Sequence, residues 1–394
     1  MRRALLLPAV LVAATLACAE PLELAEWRID VPPATPIIEL QGVPLEERDA
    51  GTVRLVDDLV LGADNATTEA LLYRPVGIVA AADGRMFVAD GGDRRVLRFA
   101  ADGGYLGSFG REGQGPGELL NIFSMAIAGD RIVIEDLRNG RLSVWTTEGE
   151  HVADHSLDKE LMDLEGVGNE GFASTFTSGE ADGGRRLVAA IHGLDGSERA
   201  RLFDVPAPPI RIIRMGPGIS NSTAELVRGS IAALDHPKVI KAVGAGGVIY
   251  VSPAHEYQVL AMSPDGGALW ALRVAWRRPA RSLSARQRVI DQAVRAGDGP
   301  AAVGDFDWPP AQAVELLRTD GAGRLYVFPT KPREDDAPVG PRMVDVYSSA
   351  GDFLAAGLVD HIWTHARGDH VYGLRTNERD EWVAVRYHLT VDEH

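Results

Sequence analysis

His361 and His365, in the run His361-Ile362-Trp363-Thr364-His365, are the closest thing to a metal-ligand motif in this sequence. Imidazole is the commonest protein ligand for transition metals. On an extended strand the two rings would share a face about 13 Å apart, too far to hold one ion together. Each would need partners from elsewhere in the chain. Asp163 and Glu165, two residues apart, are acids placed in the same alternating way and are candidate ligands of the same kind. Gly110 and Gly115 have the spacing of a phosphate-cradling loop, but Pro116 stands where a lysine must reach the phosphates. The G-x-S-x-G elbow of serine hydrolases is absent. Asp90, Asp93 and Arg95 could meet a ligand or simply pin a turn.

Residues this scattered can act together only if the fold gathers them. From Pro75 to Gly110 the chain reads as four short strands: 77–82, 86–90, 96–100 and 105–109. Asp83-Gly84 and Asp102-Gly103 close the two hairpins. The plan recurs at 124–154 and, less regularly, from 161 onward through Asp195-Gly196. It returns at 239–274, at 314–358 and at 362–387. The sixth unit lacks an outer strand, and 52–61 near the other end is a strand without a partner. Joining the two closes a ring with no open sheet edge. The expected fold is therefore all-β: a six-bladed β-propeller over 51–390 with four-stranded antiparallel blades. Its last blade is completed by the N-terminal strand. One short helical insert is expected at 284–296, capped by Ser284, with Val289, Ile290, Ala293 and Val294 toward a propeller face.

Met1-Arg2-Arg3 followed by an apolar run to Ala17 reads as a secretion signal over 1–19, and Pro-rich 20–50 as a tether. The chain's single cysteine, Cys18, follows Ala14-Thr15-Leu16-Ala17 and resembles a lipobox cysteine that carries lipid after cleavage, although Thr15 replaces the usual leucine. Cleavage after Ala19, at Ala17-Cys18-Ala19, is the other reading and would discard it. A formal charge of −16, with lysine only at 159, 238, 241 and 331, leaves no basic patch for a phosphate backbone. Nucleic acid is therefore excluded as a partner.

The run Arg74-Pro75-Val76-Gly77-Ile78, then Val88-Ala89-Asp90, Arg95-Val96 and Phe99, resembles an NHL repeat. The run 109–118 resembles the linker between such repeats. The chain over 52–390 is similar to exported bacterial six-bladed β-propellers, often lipoproteins, whose helical insert precedes a Trp-Pro segment like Asp307-Trp308-Pro309-Pro310. The resemblance implies export to the periplasm or outer membrane, with the membrane reached only through an N-terminal lipid. It implies no single activity. The expected role is a binding scaffold for a protein, peptide or glycan at the cell envelope, with no cofactor. The alternative is a metal-dependent hydrolase or lyase, using calcium or zinc in the central channel, where Asp163, Glu165, His361 and His365 would be the candidate ligands.

Overall fold

The structure, a computed structural model, describes residues 31–49, 51–62, 68–179, 185–207, 238–296, 308, 310–331 and 340–392. The leader, Cys18 and the first part of the expected tether lie outside them. Two strands precede the repeats: β1 (Ile37–Gln41) and β2 (Val53–Leu61). Blade 1 is β3 (Pro75–Ala80), β4 (Met86–Asp90), β5 (Arg95–Phe99) and β6 (Tyr105–Phe109). Blade 2 is β7 (Ile122–Ala128), β8 (Arg131–Asp136), β9 (Arg141–Thr146) and β10 (His151–Ser156). Blade 3 is β11 (Met162–Val167), β12 (Gly171–Gly179), β13 (Arg185–Gly193) and β14 (Glu198–Ala207). Blade 4 is β15 (Ile240–Val243), β16 (Ile249–Ser252), β17 (Gln258–Met262) and β18 (Ala268–Ala275). Blade 5 is β19 (Val314–Thr319), β20 (Leu325–Pro329), β21 (Arg342–Tyr347) and β22 (Phe353–Val359). Blade 6 is β23 (His365–Arg367), β24 (His370–Thr376) and β25 (Trp382–Val391), and β2 pairs antiparallel with β25 to complete it.

The turns explain why this sequence folds locally. At Asp83-Gly84, Asp102-Gly103, Glu148-Gly149, Asp195-Gly196 and Asp265-Gly266 the glycine takes φ between +80° and +91°. The same bond pair recurs there; at the second of these, for instance, Gly103 N–H donates to Ala100 and Ala100 N–H donates to Gly104. A glycine in this conformation closes a tight hairpin without the steric cost a Cβ would bring. Because strands alternate in direction, all these turns fall on one face of the ring. The turns between second and third strands, and the connections from blade to blade, fall on the other, here termed the connection face.

Six apolar cores follow from this arrangement, one between each pair of neighbouring blades. Phe87, Val96, Ile134 and Trp145 meet between blades 1 and 2. Leu61, Met86, Leu97 and Tyr372 meet between blades 6 and 1, so ring closure buries as true a core as any other junction.

Three features differ from the sequence reading. From Ile37 on, the stretch taken as tether is folded: β1 pairs in parallel with β18 as a fifth, outermost strand of blade 4. Arg48 then inserts between blades 4 and 5, and Asp49 bridges to Gly357 on blade 5. The segment thus crosses three blades before the first repeat begins. Second, the insert, α1 (Leu283–Ala296), starts one residue early and is capped by Ser282, whose Oγ accepts the Ala285 N–H at 3.2 Å. Val289 and Ile290 are half-buried, but Val294 is exposed, so the expected apolar face is only partly covered. Third, 361–364 is not strand; β23 begins at His365. Trp363, fully buried, donates its ring N–H to Thr319 and Thr364 N–H donates to Tyr372, which turns the chain before the blade starts.

Candidate functional site

The first strand of each blade lines the channel, and the polar groups there bond from strand to strand. Ser124 Oγ on β7 accepts the Leu164 N–H of β11 at 2.9 Å. Glu165 on β11 accepts from Lys241 Nζ and from Val243 N–H of β15, both at 2.9 Å, one on each carboxylate oxygen. Lys241 also donates to the Asp163 carbonyl, and its side chain is wholly buried. Thr319 on β19 donates to Val243 at 2.7 Å. Arg318 on β19 donates through Nε to Trp363 at 2.6 Å, just before β23. His365 on β23 reaches Ala80 of β3 at 3.3 Å through Nε2. At the channel, five of the six junctions are therefore stitched by a side chain, and the sixth, between blades 1 and 2, is bridged on the face of the hairpin turns by Arg85 donating to Glu148.

Burial shapes the charges along this seam. Desolvation holds the Arg318 guanidinium below its ordinary value, against the pull of Glu165 and Asp163. Desolvation also pushes His365 down to about 4, against the Ala80 carbonyl, so the ring is neutral at physiological pH. A neutral imidazole within reach of a carbonyl must donate, which fixes the proton on Nε2.

The four residues singled out in the sequence are not brought together. Asp163 is exposed at the start of β11, at φ +54° inside a bulge. Glu165 is paired and His365 spans blades 6 and 1. His361 sits on the connection before β23, accepting from Arg375 at 3.2 Å and stacking on Tyr387 at 6.3 Å. It borders an open cleft of about 490 Å³ between blades 5 and 6, with Arg342, Asp360 and Leu374. Among the described residues no three His, Cys, Asp or Glu side chains converge as metal ligands would. With both Glu165 oxygens and His365 Nε2 engaged, these residues do not fit a channel metal.

Asp90 and Asp93 have structural partners. Asp90 accepts from the N–H groups of Tyr73, Arg74 and Gly92, pinning both the incoming connection and its own turn. Asp136 does the same in blade 2 for Leu120 and Asn121. Asp93 pairs with Arg95 at 2.9 Å. The glycine run 110–117 is a blade linker, its turn held by Glu118 accepting the Gly115 N–H at 2.8 Å.

On the connection face the mouth of blades 1 and 2 carries exposed apolar groups: Tyr73 (61% exposed), Val76 and Phe123. Val76 and Tyr73 pack beside Gly91 and Gly92, and the Ile122 carbonyl lies beside Gly91 as well. Val76 and Phe123 are the exposed second residues of the neighbouring inner strands β3 and β7, and Tyr73 precedes the first of them, so the three gather at one end of adjacent strands. Isolated surface apolar residues are ordinary, but a contiguous group at a channel mouth is a feature of binding surfaces. The sequence reading missed this patch, together with Lys241, Arg318 and Glu135. For Lys241 a signal existed: a rare lysine inside an inner strand.

Six blades of four antiparallel strands, the fourth blade extended by β1 and the last completed by β2, make this chain a six-bladed β-propeller. A family model described as "6-bladed beta-propeller" matches residues 66–179, which span blade 1, blade 2 and half of blade 3. The solved structure of a candidate exported protein from Bacteroides fragilis is similar over 91% of this chain and 100% of its own, at 10% identity and TM-score 0.50. A member of the DUF4221 family from Bacteroides vulgatus is similar over 87% and 100%, at 11% identity and TM-score 0.50. Likeness at this identity establishes the fold alone. No curated protein sequence matches the chain.

Proposed function

We propose that this propeller is an exported binding module, held at the cell envelope by lipid on Cys18, that presents its connection face to a protein, peptide or glycan. The observation that carries the reading is the channel seam: its polar side chains, Glu165 and His365 among them, are spent on neighbouring strands, and the exposed Asp163 and the cleft-bordering His361 are not gathered with them. The exposed patch of Tyr73, Val76 and Phe123 supports a recognition role for the same face. The candidate exported protein from Bacteroides fragilis agrees in fold with an envelope address.

The test places a photo-crosslinking amino acid at Phe123 and, as a control, at Leu106 on the outer strand of blade 1, in cells that make the full chain. A discrete adduct from Phe123 and none from Leu106 is expected. Equal labelling from both, or none from Phe123, would defeat the reading. Metal analysis of the purified chain separates the alternative: one tightly held divalent ion per chain would favour a hydrolase or lyase.

A further inference from the structure

Between blades 2 and 3, on the connection face, lies a second cavity of about 230 Å³. Its floor is the end of β8, Glu135 and Asp136; its walls are Arg141 and the connection 157–160. Most of the polar groups around it are satisfied. Asp136 accepts from Leu120, Asn121 and Asn139, and Arg141 donates to the carbonyls of Gly115 and Glu118 and pairs with Asp154. Lys159 lies with its ammonium 4.5 Å above the Phe176 ring. Arg141 Nε and one oxygen of Glu135 are the exceptions among the described residues. Glu135 is 1% exposed, its Oε1 accepts the Leu161 N–H at 2.7 Å, and its Oε2 is buried with no bonding partner among the described residues.

An unpartnered buried carboxylate oxygen is costly, and its field invites a cation. The chain supplies one at another interblade position: buried Asp345 is met by the inserted guanidinium of Arg48 at 2.6 Å and by the Tyr257 hydroxyl at 2.6 Å. Among the described residues no such cation bonds to Glu135. Desolvation pushes its carboxyl up to about 7, against the Leu161 N–H, and the charged groups that add to the rise are acids, Glu160 and Asp163. Asp136, Asp158, Lys159 and Arg141 also border the cavity, and the last two have partners of their own.

We propose that this cavity binds a small organic cation, a primary ammonium or guanidinium group, which bonds to the free oxygen of Glu135. The volume is below the roughly 300–1,000 Å³ usual for drug-sized ligands. It suits an alkylamine, or a single lysine or arginine side chain of a larger partner. The site is separate from the apolar patch and holds whether or not that patch docks anything.

Calorimetry on the full chain tests this with n-butylammonium, guanidinium, a short lysine-bearing peptide and Ca²⁺ as probes. Binding of the free amines is expected, with affinity rising about tenfold from pH 6 to pH 8 and with proton release near pH 7, because a carboxyl titrating near 7 must ionise to hold the cation. Binding of the peptide alone would assign the cation to a macromolecular partner. E135Q keeps an acceptor for Leu161 N–H, so it should fold and melt like the parent while losing at least tenfold in affinity and all proton release. No binding by any organic cation, Ca²⁺ binding instead, or unchanged affinity in a folded E135Q would each overturn the proposal.

Discussion

Arg48→Met should unclasp the N-terminal segment from the ring, and its cost follows from burial. The Arg48 guanidinium and the Asp345 carboxylate are 0% and 2% exposed and lie 2.6 Å apart. Arg48 also donates to the Val344 carbonyl at 3.0 Å and to Val43 at 2.9 Å. Methionine fills the space of the stem but leaves Asp345 with only the Tyr257 hydroxyl. Removing one partner of a buried pair costs about 3–5 kcal/mol, chiefly from the charge left behind. Urea unfolding at pH 8 should show that loss. Arg54→Met is the control: its pair with Asp392 is more than half exposed on both sides, so its loss should stay below about 1 kcal/mol. The deficit should also depend on pH. Desolvation pushes Asp345 above its ordinary value, while Arg48 and Tyr257 pull it down. Without Arg48 the folded state binds the proton more tightly than the unfolded chain does. Stability of the variant then falls as pH rises above the unfolded value, by up to about 1.4 kcal/mol per pH unit, until the folded carboxyl ionises. Arg48→Met should therefore be closer to the parent at pH 5 than at pH 8, and adding Asp345→Asn should recover most of the loss. A deficit under about 1 kcal/mol at pH 8, equal deficits at both pH values, or no recovery in the double variant would refute the reasoning.

Three further outcomes follow from the channel. Glu165→Ala strands a wholly buried Lys241 ammonium, whereas Lys241→Ala leaves a Glu165 that is 26% exposed and can reach water, so chemical denaturation should show the first variant to be the less stable; equal losses would count against the seam. A Cβ on Gly166 would meet the Ile127 carbonyl oxygen at 1.8 Å, so Gly166→Ala must force β7 and β11 apart and should cost at least the roughly 1–3 kcal/mol of an overpacked core by the same assay; a neutral result would mean the inner strands are not in contact. His365, held near 4 against an ordinary 6.5, stabilises the fold fully above pH 6.5 and loses that contribution as pH falls toward 4, because the unfolded chain takes the proton first. Its imidazole resonances should titrate below pH 5 in NMR, and a midpoint near 6.5 would place the ring in water.

The ring was legible because its determinants are local. An Asp-Gly or Glu-Gly pair between alternating runs specifies a hairpin whatever surrounds it, and the missing outer strand of the sixth unit pointed to 52–61, where β2 indeed pairs with β25. The fifth strand of blade 4 was not legible, although Ile37-Ile38-Glu39-Leu40-Gln41 alternates acceptably. Four strands already complete a blade, so nothing local demands a partner for β1; only the parallel edge of β18 reveals one. The same limit applies to the channel. His361 and His365 drew attention by their spacing, but a buried Trp363 turns the chain between them and sends the two rings to different neighbours.

The cavity carboxylate shows where a repeat protein does yield more to sequence. Asp90 and Asp136 occupy the same register position in blades 1 and 2 and pin the same turn. Aligned on them, Glu135 falls opposite Ala89, a fully buried position where blade 1 needs only a methyl group. Conformity to the repeat is explained by folding; a charged residue substituted at a buried repeat position is not, because desolvation opposes it and the neighbouring blade shows the fold does without it. Lys241, a buried charge on an inner strand, is accounted for by Glu165 and the Asp163 carbonyl. Glu135 is accounted for on one oxygen only. In a ring built from copies of one plan, that remainder is the place where selection for a ligand, rather than for the fold, has the physical room to act.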